Sequence, residues 1–292
     1  MENILFLKKN ELNRLEKVIK YYSFEQAKKD GDKRKINAPE NQLKKIQRRI
    51  LDLLSPIIKP DWVISGSKGK CYIDNGRAHR LSNYMLKIDI KKFYDNCERE
   101  SVFNFFFLGL KISRDIAGLL SDIVTYEKRI PTGCPTSQII AYYAYESMFH
   151  EIKNVALKYN CIFTLYVDDM TFSSQIPFEP KKLTSEVEII LRKYNHKTKR
   201  SKVKYYSKDR IKLTTGVAIS REHDLLVPNR LQNKIYDNFM SAKKQAKADG
   251  ADKKLLLSLD GQLQAAHNIN PTIFPEITRL SRKVQSELKL NF

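Results

Sequence analysis

The sequence predicts an α+β fold with a helical C-terminal part. Two observations carry this. Apolar residues alternate at period two around residues 84–90 and 161–174, whereas on either side they recur at helical spacing. From about Val227 the strand-like patterns stop and charged, helix-forming sequence takes over. Strands interleaved with helices, followed by a run of helices, describe a mixed domain with a helical subdomain appended.

The elements follow in order. The first 60 residues read as helical, with Leu12, Leu15, Val18 and Ile19, then Leu43, Ile46, Ile50 and Leu54, on helical stripes. Between them KDGDKRKINAP is a turn and a short extended segment, and Pro56, Pro60 and SGSKGK close the region. From Tyr84, Leu86, Ile88 and Ile90 face one way while Lys87 and Asp89 face the other, as in a strand. An apolar helical stretch spans 103–125, and PTGCPTSQ opens the helix IIAYYAYESMFHEI. CIFTLYVDDMTFSS reads as two short strands meeting at an acidic tip. A helix at 181–194 leads into a basic run and a strand-like KLTTGVAIS. Turns at ADGADKK and NINP punctuate the remaining helices.

With 53 Lys and Arg against 33 Asp and Glu, the 292-residue chain carries a net charge of +20. Such a surplus attracts polyanions, and nucleic acid is the default partner, although composition alone also suits a ribosomal protein or a basic protein bound to an anionic membrane surface. Residues 28–49 hold nine Lys/Arg, and residues 192–212 hold ten against the single acid Asp209. Tyr194, Tyr205 and Tyr206 interleave the second run, offering stacking planes beside phosphate-binding cations. A lone lysine-rich stretch is usually a solvated face. Two of them flanking an acid-bearing centre point to a binding surface.

Asp89 ends a predicted core strand, and Asp168 and Asp169 sit at the tip of a predicted hairpin. Together such carboxylates repel one another unless cations neutralise them. Mg²⁺ suits this setting, being hard, oxygen-liganded and commonly shared with substrate phosphates. Two such ions can activate a hydroxyl and stabilise departing pyrophosphate. An isolated Asp-Asp pair is usually an acidic surface turn. Here Phe163, Leu165 and Val167 alternate into it and Met170 and Phe172 lead out, which sets the tip on a core hairpin.

These residues resemble a known family. Tyr166-Val167-Asp168-Asp169 is similar to the YxDD box of reverse transcriptases, and Asp89 to Tyr94 resembles their upstream DxxxxF/Y motif. Arg34 to Pro39 followed by LKKIQRRIL resembles the fingers motif RxIxxP of the bacterial enzymes. Pro131 to Ser137 resembles the PQGxPxS nucleotide loop, with Thr132 for Gln and Gln138 for Pro. Asn195 to Thr198 resembles the NxxKT stretch after the catalytic hairpin. Asn75-Gly76-Arg77-Ala78-His79 is similar to the NAxxH element of retron reverse transcriptases, with Gly76 for Ala. Thr214-Thr215-Gly216 stands where they have VTG, with Thr214 for Val.

The resemblance implies a right-hand polymerase: fingers over 1–83, a ferredoxin-like palm over 84–226 and a helical thumb over 227–292. It implies that Asp89 and Asp168 bind two Mg²⁺ ions, supported by Asp169 and the carbonyl of Ile90. Tyr94 would lie under the deoxyribose, Gly133 would let backbone approach the dNTP, and Arg34 and Lys197 would face the triphosphate. Asn75, His79 and Thr214 to Gly216 would contact RNA or brace the fold, while Arg230, Lys234, Lys243, Lys244 and Lys247 would grip the template–primer duplex.

For a retron enzyme the family further implies a cognate structured non-coding RNA serving as primer and template, a branched RNA–DNA product (msDNA), and anti-phage defence beside a separate effector protein. Other readings are an abortive-infection or group II intron-like reverse transcriptase, or a catalytically silent RNA-binding scaffold. The sequence offers no signal-peptide pattern, no apolar run near the roughly 20 residues of a membrane helix, and four scattered cysteines without a CxxC pair. The expectation is a cytoplasmic protein with no membrane partner.

Overall fold

The computed structural model describes residue 5 and residues 14–27, 33–246 and 252–287. Its first elements are a short helix, α1 (Leu15–Val18), and an antiparallel hairpin of β1 (Tyr21–Ala27) and β2 (Lys33–Pro39). The hairpin corrects the helical reading of the first 60 residues. Tyr22 to Ala27 are all exposed, so β1 carries no buried alternation to betray it. α2 (Asn41–Leu54) buries the expected stripe of Leu43, Ile46, Ile50 and Leu54. Leu12, the KDGD turn, Lys247 and most of the ADGADKK turn lie outside the described residues.

After α3 (Tyr72–His79), a helix the sequence pattern did not reveal, comes β3 (Tyr84–Asp89). The predicted helix at 103–125 is broken. α4 (Phe93–Asn96) and α5 (Arg99–Asn104) run into a π-helical turn (Phe105–Gly109), and α6 (Arg114–Val124) begins only after Lys111 takes a left-handed φ of 54°. The next helix likewise divides at Tyr145 into α7 (Ser137–Ala144) and α8 (Glu146–Lys158), where the Tyr145 hydroxyl accepts from the Glu98 amide at 3.0 Å. A buried polar anchor of this kind has no signature in hydrophobic periodicity.

β4 (Ile162–Tyr166) and β5 (Asp169–Ser174) form the expected hairpin, followed by α9 (Pro180–Lys193) and β6 (Lys204–Tyr206) inside the basic run. Four strands join in the order β4-β5-β3-β6, all antiparallel. The register sorts their side chains. Phe163, Phe172 and Leu86 align across the sheet, as do Leu165, Met170 and Ile88, and this face is buried in the main core with Phe149, Ile152 and Val187. The opposite face aligns Thr164, Thr171 and Lys87, then Tyr166, Asp169 and Asp89. One face is thus oily and the other polar, as period two requires.

KLTTGVAIS is a tight hairpin of β7 (Lys212–Thr214) and β8 (Val217–Ile219) rather than one strand, and β9 (Leu225–Leu226) pairs with β8. The turn takes Thr215 and Gly216 through φ of 44° and 92°. The C-terminal helices α10 (Asn229–Ala246), α11 (Lys253–His267) and α12 (Pro275–Glu287) have their own core around Val227, Ile235, Leu259, Leu263 and Ala266.

Candidate active site

The acidic centre forms because β3 and β5 end together. Asp89 is the last residue of β3 and pairs in register with Asp169, the first of β5. Asp168 occupies the two-residue turn between β4 and β5 with Val167, which is held at φ 60°. A β-branched residue in the left-handed region is strained, and surrounding contacts must hold it there. Two do so: the Val167 amide donates to Ser65 Oγ at 2.8 Å, and the Ile90 amide donates to the Asp168 carbonyl at 3.0 Å.

The segment after α9 closes the other side. The Lys199 amide donates to the Asp89 carbonyl at 2.7 Å and the Lys91 amide to the Lys197 carbonyl at 2.8 Å, so 197–199 runs beside 89–91. Lys202 places Nζ 2.6 Å from Asp89 Oδ2, and Lys87 places Nζ 2.8 Å from Asp169 Oδ2. Asp168 has no such direct cation among the described residues. Burial, followed by the charge of Asp89, pushes its carboxyl up to about 6. Burial also raises Asp169, against the pull of Lys87. Lys202 shifts upward despite its own partial burial, because Asp89 accepts from it and all three carboxylates act on it.

No three carboxylate, imidazole or thiolate groups among the described residues converge as a ready-made metal cage. Two of the three aspartates are instead paired with lysines, Asp89 with Lys202 and Asp169 with Lys87. The donor set still fits hard divalent cations: three carboxylates at one strand edge, with Asp168 held against its own charge in a way a cation would relieve.

The remaining candidates group around this centre. Tyr94 packs beside Phe93 with ring centroids 5.5 Å apart, and burial and then the nearby Asp168 charge push its hydroxyl well above the ordinary tyrosine range. Arg34, exposed on β2, is close enough to oppose that shift. Gly133 faces the same hairpin: a Cβ there would meet Ile36 Cγ2 at 2.8 Å and the Asn37 carbonyl at 3.0 Å. The absent side chain therefore lets the loop seat on β2, with Thr132 Oγ1 donating to the Lys35 carbonyl at 3.2 Å. Lys197, Arg230, Lys234, Lys243 and Lys244 are exposed.

Asn75, His79 and Thr214, expected to contact RNA or brace the fold, lie inside the protein. Asn75 and His79 are completely buried and Thr214 is 1% exposed, all hydrogen-bonded to protein. Thr215 is half-buried and Gly216 exposed at the β7–β8 turn. Gly76, which replaces the family's alanine, lies where a Cβ would come within 3.2 Å of Val217, so its absence brings α3 close to β8. Pattern reasoning missed Lys202, Lys87 and Ser65. Only Lys87 had a signal, since it alternates onto the face of Asp89.

Together, a strand-edge carboxylate group, a basic flank and a helical C-terminal unit define a polymerase-like architecture. The sequence profile described as "Reverse transcriptase (RNA-dependent DNA polymerase)" matches residues 26–235, and the chain belongs to that family. Retron Ec86 reverse transcriptase of Escherichia coli is 30% identical over 158 residues, 53% of this chain and 48% of the relative. Retron Se72 reverse transcriptase of Salmonella heidelberg is 26% identical over 56% of this chain and 43% of the relative. The chain thus spans about half the length of these first relatives, while Retron Ec83 reverse transcriptase of Escherichia coli is 24% identical over 85% and 81%.

Among solved structures, apo telomerase from Candida tropicalis, truncated from its C-terminal domain, superposes with a TM-score of 0.54 at 14% identity, over 77% of this chain and 60% of that one. A foamy viral protease–reverse transcriptase bound to double-stranded DNA gives 0.53 at 15% identity, over 96% and 42%. The fold is therefore the right-hand polymerase fold. No described helix is long and apolar enough to cross a membrane.

Proposed function

We propose that the chain is the RNA-directed DNA polymerase of a retron. It extends a primer along an RNA template with dNTPs: the primer hydroxyl oxygen bonds to the α-phosphorus, the bond from that phosphorus to the bridging oxygen breaks, and pyrophosphate leaves. The observation that carries this is the in-register meeting of Asp89 with Asp169, beside Asp168, at one strand edge. Similarity to several retron reverse transcriptases supports it.

In this reading Asp89 and Asp168 hold two Mg²⁺ ions, with Asp169 and the Ile90 carbonyl beside them. When bound, the ions supply the Lewis acidity that activates the hydroxyl and neutralises the departing pyrophosphate. Everything else is positioning by the chain. Lys202 and Lys87 release their carboxylates, Tyr94 floors the sugar pocket, Gly133 and its loop form one wall, and Arg34 and Lys197 meet the triphosphate. Fingers, palm and thumb divide near residues 84 and 227, and Arg230 and Lys234 on α10 contact duplex phosphates.

The retron reading extends to partners: a cognate structured non-coding RNA as primer and template, priming from a 2′-hydroxyl, a branched RNA–DNA (msDNA) product, and a separate effector in cytoplasmic anti-phage defence. The test is to express the chain with its flanking DNA and analyse the nucleic acid that co-purifies. DNA covalently joined to RNA is expected with the wild type and not with Asp168→Asn/Asp169→Asn. RNA without DNA in both preparations would overturn the branched-product reading.

A further inference from the structure

The most connected polar cluster among the described residues lies behind the carboxylates. Ser82 Oγ meets Ser173 Oγ at 2.8 Å, and Ser173 Oγ meets His79 Nδ1 at 2.6 Å. His79 Nε2 meets Thr164 Oγ1 at 2.7 Å, and the Thr164 hydroxyl donates to Asn75 Oδ1. Asn75 Nδ2 donates to Thr214 and Thr215 at 3.1 and 3.2 Å, Thr214 meets Thr171 at 3.2 Å, and the Thr215 hydroxyl donates to the Tyr72 carbonyl at 3.0 Å.

The protons can be assigned round this circuit. Thr164 spends its hydroxyl hydrogen on Asn75, so His79 donates from Nε2 and accepts from Ser173 at Nδ1. That is the neutral imidazole, and burial accordingly drives its pKa down to about 3. Every buried member has a partner, the condition under which such a network fixes one geometry instead of weakening the core.

What the network holds is the acidic hairpin. Thr171 and Ser173 alternate with Asp169 on one face of β5, and Thr164 pairs with Thr171 across the hairpin. Both anchoring side chains, Asn75 and His79, come from α3. The same helix reaches the C-terminal helices: the Tyr72 hydroxyl donates to the Ala265 carbonyl of α11 at 3.2 Å. The Tyr72 ring lies 3.8 Å from where a Cβ on Gly216 would stand, and its hydroxyl also feels Tyr166 of the hairpin.

We propose that α3 is a strut joining the thumb to the catalytic hairpin, in which Asn75 and His79 are positioning residues for Asp168 and Asp169 and Tyr72 transmits the seating of the thumb. A duplex gripped by the C-terminal helices then tightens the carboxylate site through this strut. The metal part of this inference rests on the polymerase reading; the hairpin part does not.

Two measurements on the full chain test it. Hydrogen exchange across residues 164–171 is expected to quicken about tenfold or more in Asn75→Ala and His79→Ala, the loss of a buried hydrogen bond, with α6 unchanged. His79→Gln, which restores one donor and one acceptor, is expected to stay near wild type. Mn²⁺ affinity, read by electron paramagnetic resonance with and without a short RNA–DNA hybrid duplex, is expected to tighten with duplex in the wild type. Tyr72→Phe, which keeps the ring, is expected to match wild type without duplex and to lose the tightening.

Hairpin exchange unchanged in folded Asn75→Ala and His79→Ala would overturn the positioning role. Retained tightening in Tyr72→Phe would overturn the strut, even if the other variants fail to fold. A wild type that binds no Mn²⁺ and extends no primer would instead sink the polymerase reading, leaving the exchange result to decide the hairpin.

Discussion

At the scale of single residues, the strongest electrostatic statement concerns Asp168. Its folded-state pKa, about 6, lies above the ordinary 3.8. A raised carboxylate pKa means that ionisation opposes folding: the penalty is full above about pH 6, fades as pH falls from about 6 towards 3.8, and is gone below the unfolded value. Asp168→Asn is therefore expected to stabilise the protein by about 1–2 kcal/mol at pH 8, after discounting for partial exposure. The gain should vanish near pH 3.5; a denaturant titration at the two pH values checks both. Gly133 makes a steric statement instead. Gly133→Ala places a methyl against Ile36 and a backbone carbonyl, and is expected to cost about 1–3 kcal/mol, measured by thermal unfolding.

At the scale of elements, the β4–β5 hairpin stores strain that its neighbours absorb. Val167 sits at φ 60°, so Val167→Gly relieves about 1–2 kcal/mol of backbone strain while losing a comparable amount of apolar burial and chain entropy. The expected net change is under about 1 kcal/mol. Leu165→Ala, fully buried one turn of the pleat away, is expected to cost about 2–5 kcal/mol. Urea denaturation of the two variants separates strain at the tip from packing in the core. Legibility varied in the same way. β3, β4 and β5 were readable because one face is oily and the other polar. β1 was not, because its exposed aromatics imitate no buried pattern, and α3 was not, because it buries Asn75, Gly76 and His79 rather than an apolar stripe.

At the scale of the whole molecule, the +20 charge and the basic flank of the carboxylates predict a strongly salt-dependent grip on nucleic acid. Arg230 and Lys234 are one helical turn apart and exposed on α10. Arg230→Gln/Lys234→Gln is expected to lower the slope of log affinity against log salt for an RNA–DNA hybrid by about 2. Fluorescence anisotropy over a salt series reads the slope. An unchanged slope would remove these two residues from the duplex surface.

By itself the sequence marked the chemistry: which carboxylates end strands, why carboxylates brought together call for cations, and that a chain of charge +20 attracts polyanions. Those properties belong to residue type and to period, which are local. It also marked Asn75, His79 and Thr214, in two separate motifs, as residues that contact RNA or brace the fold. Only the tertiary structure decided that these three meet in one buried circuit, that Gly133 answers to β2, and that Lys202 reaches Asp89 across more than a hundred residues of chain. Each of those is a pairing of distant groups set by how layers close over one another, and no local pattern of apolar and polar residues encodes which distant partner a buried polar group will find.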